Sequence, residues 1–164
     1  MLQIIYSMKE LSFGRLMEVY AQSNRDRYPS LSVSQALAEA EQEQYDYLRN
    51  DFFNVPCAVV CVWQVDHRYV SALRLEPYRD GMILTALETA SEHRGRGYAS
   101  QLIRSVLQWQ DQQGEVVIYS HIQHENQASI AVHKKCGFQK IRDTATYLDG
   151  SVSAEAGTYR YINY

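Results

Sequence analysis

Hydrophobic positions along the chain change period several times, and each change marks an element. Leu2 to Tyr6 is an apolar, β-branched run that predicts a short first strand. Ser12 then precedes Phe13, Leu16, Met17, Val19 and Tyr20 at helical spacing, and the pattern fades at Gln22-Ser23-Asn24. After a loop through Tyr28-Pro29, Ser32 and Gln35 have the form of a capping box. They open a second helix that runs to about Asn50, with Ala36, Leu37, Ala40, Tyr45, Tyr47 and Leu48 set among glutamates and glutamines.

From Val55 the pattern turns strand-like. Cys57 to Gln64 is a continuous β-favouring run, Asp66-His67-Arg68 a turn, and Tyr69 to Leu75 a further strand that stops before Pro77. A second turn at Arg79-Asp80-Gly81 leads into the strand Met82 to Thr89, so three strands form an antiparallel meander. An amphipathic helix from Ala99 to Gln110 follows and ends at Gly114. The strand Val116 to Ile122, reached by a helical crossover, should lie parallel to Met82–Thr89. Asn126 caps a short helix over Ala128 to Lys135 that stops at Gly137. Phe138 to Tyr147 and Thr158 to Tyr161 then predict a closing hairpin with a long connection, Asp149 to Gly157. The expected fold class is α/β: a mixed sheet with an antiparallel start, one central parallel pair and flanking helices. No repeat or linker divides the 164 residues, so one domain over 1–164 is expected.

Composition narrows the function classes. A net charge of −3 does not suggest a nucleic-acid partner. No apolar run approaches the roughly 20 residues of a membrane span, and the N-terminus lacks the basic start and cleavage signal of a secretory peptide. Three cysteines without Cys-x-x-Cys or a His/Cys cluster argue against a disulfide framework or a structural zinc site. A cytoplasmic protein without bound metal is expected. Thirteen tyrosines could line an aromatic pocket, though packing accounts for most buried tyrosines.

The chemistry concentrates in Glu92-His93-Arg94-Gly95-Arg96-Gly97-Tyr98-Ala99-Ser100, between a strand and a helix. Gly95 and Gly97 remove the Cβ atoms that would hold an anion off the main chain. The helix start behind them offers N–H groups without intrahelical partners and the positive end of a dipole, and Arg94 and Arg96 add charge. Together these make a diphosphate cradle. A dinucleotide site fails here, because Gly95-Arg96-Gly97-Tyr98-Ala99-Ser100 lacks the third glycine and the next strand ends at His121-Ile122 without a ribose-binding acid.

Arg94-Gly95-Arg96-Gly97-Tyr98-Ala99 resembles the pyrophosphate loop Arg/Gln-x-x-Gly-x-Gly/Ala of the GNAT superfamily of acyl-CoA-dependent N-acetyltransferases. Asn126 to Phe138 resembles that family's second element, an Asn-x-x-Ala/Ser start closing on Lys-x-Gly-Phe, in the family's order and spacing. The resemblance implies a GNAT-like sheet with a splayed parallel pair. It implies that Arg94, Gly95, Arg96, Gly97, Ala99 and Ser100 hold the CoA diphosphate, that Asn126 and Ser129 contact CoA from the other side, and that the Leu87 to Thr89 main chain aligns the thioester.

Many relatives carry Tyr where this chain has His133, as proton donor to the leaving thiolate. An imidazole can do the same work, and a satisfied helix histidine is the plain alternative. For the base that deprotonates an attacking amine, Glu88 is the first candidate, against a reading as a solvated strand residue or a partner of an arginine such as Arg74. Glu76 and His121 are weaker candidates. Tyr20, Tyr28, Tyr45 and Tyr47 with Glu41 and Glu43 could build an acceptor surface for an amine. No cysteine looks like an activated nucleophile, so the expected reaction is direct transfer of acetyl from acetyl-CoA to a small-molecule, peptide or protein amine in a ternary complex. A non-catalytic acyl-CoA sensor on the same fold is the competing function. The C-terminal strand with Tyr159, Tyr161 and Tyr164 could pair within the chain or across a homodimer.

Overall fold

The computed structural model describes residues 1–163. Its strands are β1 (Leu2–Ile5), β2 (Val59–Val65), β3 (Arg68–Tyr78), β4 (Gly81–Thr89), β5 (Val116–Gln123), β6 (Gln139–Arg142), β7 (Ala145–Thr146), β8 (Val152–Ser153) and β9 (Ala156–Asn163). Its helices are α1 (Phe13–Val19), α2 (Ala21–Asp26), α3 (Val33–Asn50), α4 (Tyr98–Asp111) and α5 (Gln127–Lys135). Seven strands form one sheet in the order β1-β2-β3-β4-β5-β9-β6, and β7 pairs only with β8. β4 and β5 run parallel, while the other pairs are antiparallel.

The unbroken apolar run of β2 follows from helices covering both faces of the sheet. Val60, Val62 and Ala72 pack with Ile5, Leu16, Met17, Leu48 and Phe52 beneath α1 to α3. Val59, Cys61, Leu73 and Leu75 alternate to the other face and meet Leu102, Ile103 and Val106 of α4, with Ile118 and Phe138. At the hairpin β2–β3, Asp66 and His67 both take positive φ, as a tight two-residue turn requires.

Several boundaries differ from those expected, each for a local reason. β3 continues through Pro77 to Tyr78 because β2 stops pairing at Val59↔Leu75. Beyond it the missing N–H of Pro77 faces no partner strand. The first predicted helix is two, broken at Tyr20 (φ −90°, ψ 7°). The predicted strand Phe138 to Tyr147 pairs with β9 only as far as Arg142, and Ala145–Thr146 turns aside onto β8 within the long connection. β9 lies between β5 and β6, so Tyr159 and Tyr161 sit inside the sheet of one chain; the pairing considered for Tyr164 lies outside the described residues. No helix among the described residues is long and apolar enough to cross a membrane.

The site is positioned by one irregularity. β4 uses Thr85 to Glu88 against Arg74 to Ala72 of β3, one residue more than its partner, and Ala86 takes φ 52°. Such a bulge bends its strand and increases local twist. On the other side β4 pairs with β5 only from Met82↔Ile118 to Leu84↔Ser120, although the strands continue to Thr89 and Gln123. The two strands therefore part, and the β5-facing edge of Thr85 to Thr89 is left without a strand partner.

Candidate active site

Two clefts meet at the parted strands. The first, of about 630 Å³, is lined on one side by Leu87, Glu88 and Thr89 and at its floor by Arg94, Gly95, Gly97, Tyr98, Ala99 and Ser100. Asn126, Ala128, Ser129 and Val132 of α5 and its cap close the opposite wall. Gly95 (φ 74°) and Gly97 (φ 81°) are left-handed, and a Cβ at either would meet nothing within 4 Å, so the space beside this main chain is open. Gly97 is the N-cap of α4 and offers no side-chain cap, which leaves the first-turn N–H groups facing the cleft. Sequence alone places both arginines at an anion, and Arg94 does line this cleft. Its Nε–H donates to the Thr89 carbonyl at 3.1 Å, and Nη2 lies 3.5 Å from Glu88 Oε1. Arg96 is exposed and outside the lining.

Asn126 caps α5, its Oδ1 accepting from the Ser129 N–H at 3.1 Å. This leaves the amide NH2 of Asn126 and the surface of Ser129 toward the cleft. Thr89 and Ser71 share a hydroxyl contact of 3.1 Å, and the Ser71 hydroxyl donates to the Glu88 carbonyl at 2.9 Å. Those bonds fix the end of β4 on β3 exactly where β5 no longer supports it.

The second cleft, of about 870 Å³, lies on the α1–α3 side and shares Leu87 and Glu88 with the first. Tyr20, Ser23, Asn24 and Arg27 line it from the first two helices, Glu43, Gln44 and Tyr47 from α3, and Arg74 and Ala86 from the sheet. A third hollow of about 520 Å³ adjoins it across Ala86 and contains Glu76, His121 and Asp149. Of the expected acceptor residues, Tyr20, Tyr47 and Glu43 reach the second cleft. Tyr45 packs edge-on against Phe13, and Tyr28 engages Glu43 at its rim.

Glu88 occupies the wall between the clefts with its side chain 18% exposed. The Ser23 hydroxyl donates to Oε2 at 2.9 Å. Burial pushes its carboxyl above the usual carboxylate range, against the opposing pull of Ser23 and Arg94. Its charged partner is Arg94, not the Arg74 considered from sequence. Glu76 is likewise pushed up by burial, and His121 is pushed down by burial and then by Arg79, but both open only to the third hollow.

His133 lies beneath the first cleft, 1% exposed and outside its lining. Nδ1 is 2.8 Å from the Ser129 carbonyl, which can only accept, so the proton sits on Nδ1. Nε2 is then an acceptor and faces the Ser120 hydroxyl at 3.1 Å, while the Phe138 ring packs edge-on at 5.1 Å. Burial depresses the imidazole below its ordinary range, with the Ser129 bond opposing, so the ring is neutral at neutral pH. A neutral ring in this tautomer has no proton on the nitrogen that faces the sheet.

Sequence reasoning missed Ser23, Asn24 and Gln44, and no local pattern marks them; they join the site only because α2 and α3 pack side by side over β3. Among the described residues no group of three His, Cys, Asp or Glu side chains is placed to hold a metal ion.

Residues 16–138 match the model of the acetyltransferase (GNAT) family. A stretch of 60 residues is 32% identical to the uncharacterized N-acetyltransferase YobR of Bacillus subtilis, covering 37% of this chain and only 24% of that protein's length. The fold is similar along 99% of the chain to PaiA N-acetyltransferase of Thermoplasma acidophilum, solved in complex with coenzyme A, at TM-score 0.68, 12% identity and 99% coverage of that chain. It is also similar to the ribosomal-protein-S18-alanine N-acetyltransferase of Escherichia coli, at TM-score 0.63 and 13% identity, over 99% of this chain and 94% of that one.

Proposed function

The chain belongs to the GNAT family of acetyltransferases, and from that premise we propose that it moves the acetyl group of acetyl-CoA to a primary amine by direct attack in a ternary complex. The observation that carries this reading is the pair of clefts that share Leu87 and Glu88 as a common wall. A thioester laid along the first and an amine entering from the second would meet at the bulge of β4.

Gly95, Gly97, Ala99 and Ser100 would bring main-chain N–H groups to the CoA diphosphate. Asn126 and Ser129 would contact the same molecule from α5, and the unpaired edge at Leu87 and Thr89 would align pantetheine and the thioester carbonyl. Arg96 would add exposed charge near the 630 Å³ cleft, and Arg94 would hold the turn against Thr89 and Glu88. Glu88 is the base. Its raised pKa suits proton removal from an ammonium near neutral pH. The amine nitrogen then bonds to the thioester carbon and the C–S bond breaks; the second N–H proton of the attacking nitrogen passes through water to the departing thiolate, and Glu88 returns the proton it took from the ammonium to solvent. His133, expected as the donor, is better suited to positioning: Nδ1 is held within α5 by the Ser129 carbonyl, and the Nε2 contact ties α5 to β5 at Ser120, where the strands part.

Cys57, Cys61 and Cys136 are free thiols, which supports a reducing, cytoplasmic setting. The test is thiol release from acetyl-CoA with and without a broad amine panel, for wild type and Glu88→Gln. Amine-dependent release that falls about 100-fold or more in the variant supports the proposal. Tight acetyl-CoA binding that no amine converts into thiol release would instead make the chain a sensor.

A further inference from the structure

Arg74 stands in the acceptor cleft without the partner its burial demands. Its Nε–H is fully buried and makes no hydrogen bond. Its Nη2 donates to Gln44 Oε1 at 3.4 Å, and the guanidinium lies over the Tyr47 and Phe52 rings at 5.2 and 5.9 Å, close enough to the Tyr47 hydroxyl to act on it. Among the described residues no carboxylate oxygen lies within 4 Å of it. Glu76, two residues along the same strand face, is near enough to sense its charge but opens to the adjoining hollow. A half-buried guanidinium with no charged partner favours an anion at the groups it presents to the cleft.

The other charges of the cleft are spoken for. Arg27 pairs with Glu43 at 2.8 Å, and Asp26 accepts from Gln22 at 3.1 Å. Glu88 has Arg94 at 3.5 Å, so among the described residues of the cleft Arg74 is left without a charged partner, and the two rise from the same sheet face: Arg74 pairs with Thr85, and Glu88 with Ala72, two positions along β3. Diagonal neighbours of this kind are about 7–8 Å apart at Cα. Building on the acetyltransferase reading, we propose that the acceptor is a free amino acid, with its carboxylate held by the forked N–H groups of Arg74 while Glu88 receives the proton from its amine. A single guanidinium with its aromatic platform matches a planar carboxylate; a phosphate would need a second cation, and Arg27 is already committed to Glu43.

The common L-amino acids, with β-alanine and γ-aminobutyrate, are compared with their C-terminal amides, which keep size and amine but lose the anion. Wild type should prefer the best free acid over its amide by about 30-fold or more in kcat/KM, the lower end of what removing one member of a buried charge pair costs. Arg74→Met should collapse that ratio toward one, chiefly through KM, and Arg74→Lys should restore part of it. Calorimetric titration of the same acid and amide into wild type with CoA gives the ratio without turnover, independent of whether Arg74→Met folds. Amides that bind and react as well as acids overturn the amino-acid proposal and leave the acetyltransferase intact. Acids that bind selectively without acetylation keep the Arg74 site and overturn the transfer reading.

Discussion

The Tyr20 hydroxyl donates to the carbonyl oxygen of Ala86 at 2.6 Å, joining the break between the first two helices to the bulged residue of β4. Burial raises the Tyr20 pKa to about 12, so this donor keeps its proton across the working range. The bond holds a non-glycine residue in left-handed conformation at the point where two clefts meet. Tyr20→Phe should cost about 1 kcal/mol, or ~3 °C in Tm, and should lower kcat more than that small loss implies by loosening the bulge. Thermal melts and steady-state kinetics on the same preparation check it; a variant with lost stability but wild-type kcat would remove Ala86 from the catalytic geometry.

Glu88 separates activity from stability. Its carboxyl is pushed above the ordinary value of 4.5, so the folded state is favoured by the neutral form, and that contribution is lost as pH rises through the folded pKa. In its proposed role as base Glu88 must by contrast be ionised, so kcat/KM should fall as pH drops through the same value. Glu88→Gln should therefore lose about 100-fold or more in rate, lose the acid limb of the pH profile, and melt no lower than wild type at pH 8. A lower Tm would mean that the carboxylate serves the fold.

Two glycines should fail in opposite ways. A Cβ on Gly81 would collide with the Val117 carbonyl, one residue before the β4–β5 pairing begins, so Gly81→Ala should cost about 3 kcal/mol or more by urea unfolding. Gly97 has open space beside it, and Gly97→Ala should cost only about 1–2 kcal/mol for its left-handed backbone. Its methyl would stand where the proposed diphosphate site lies, so the KM for acetyl-CoA should rise at least ~10-fold, since a small displacement of a bound group is expensive. An unchanged KM would move the diphosphate away from this turn.

Much of this was legible from periodicity and glycines. The meander, the crossover helix α4 and the parallel pair follow from local pattern, and Gly95, Gly97 and Asn126 carry their backbone duties in their residue types. The bulge was not legible: Leu84 to Glu88 reads as an unremarkable strand, and the left-handed Ala86 has its carbonyl held by Tyr20, 66 residues away. The partners of Glu88 and His133 were hidden for the same reason. Arg74 and Arg94 are equally good partners on paper; the turn after β4 selects Arg94. The tautomer of His133 is set by the carbonyl of its own helix one turn back, which no residue type announces.

That tautomer yields the last prediction. The folded pKa of His133 is depressed by burial, so its stabilising contribution is present above its ordinary value of 6.5 and is lost as pH falls from there toward the folded value. His121, depressed by burial and by Arg79, acts with the same sign, whereas the raised Glu76 and Glu88 act oppositely at lower pH. Wild-type Tm should therefore decline between pH 7 and 5.5, and His133→Gln, which cannot charge, should decline less; the difference between the two curves isolates His133. If His133 protonated the leaving thiolate, its loss would also remove the high-pH limb of kcat. Because Nε2 faces Ser120 without a proton, the variant should keep that limb, with kcat lowered only by a looser α5. Loss of the high-pH limb in His133→Gln would return the donor role to this residue and require its ring to turn from Ser129 in the loaded enzyme.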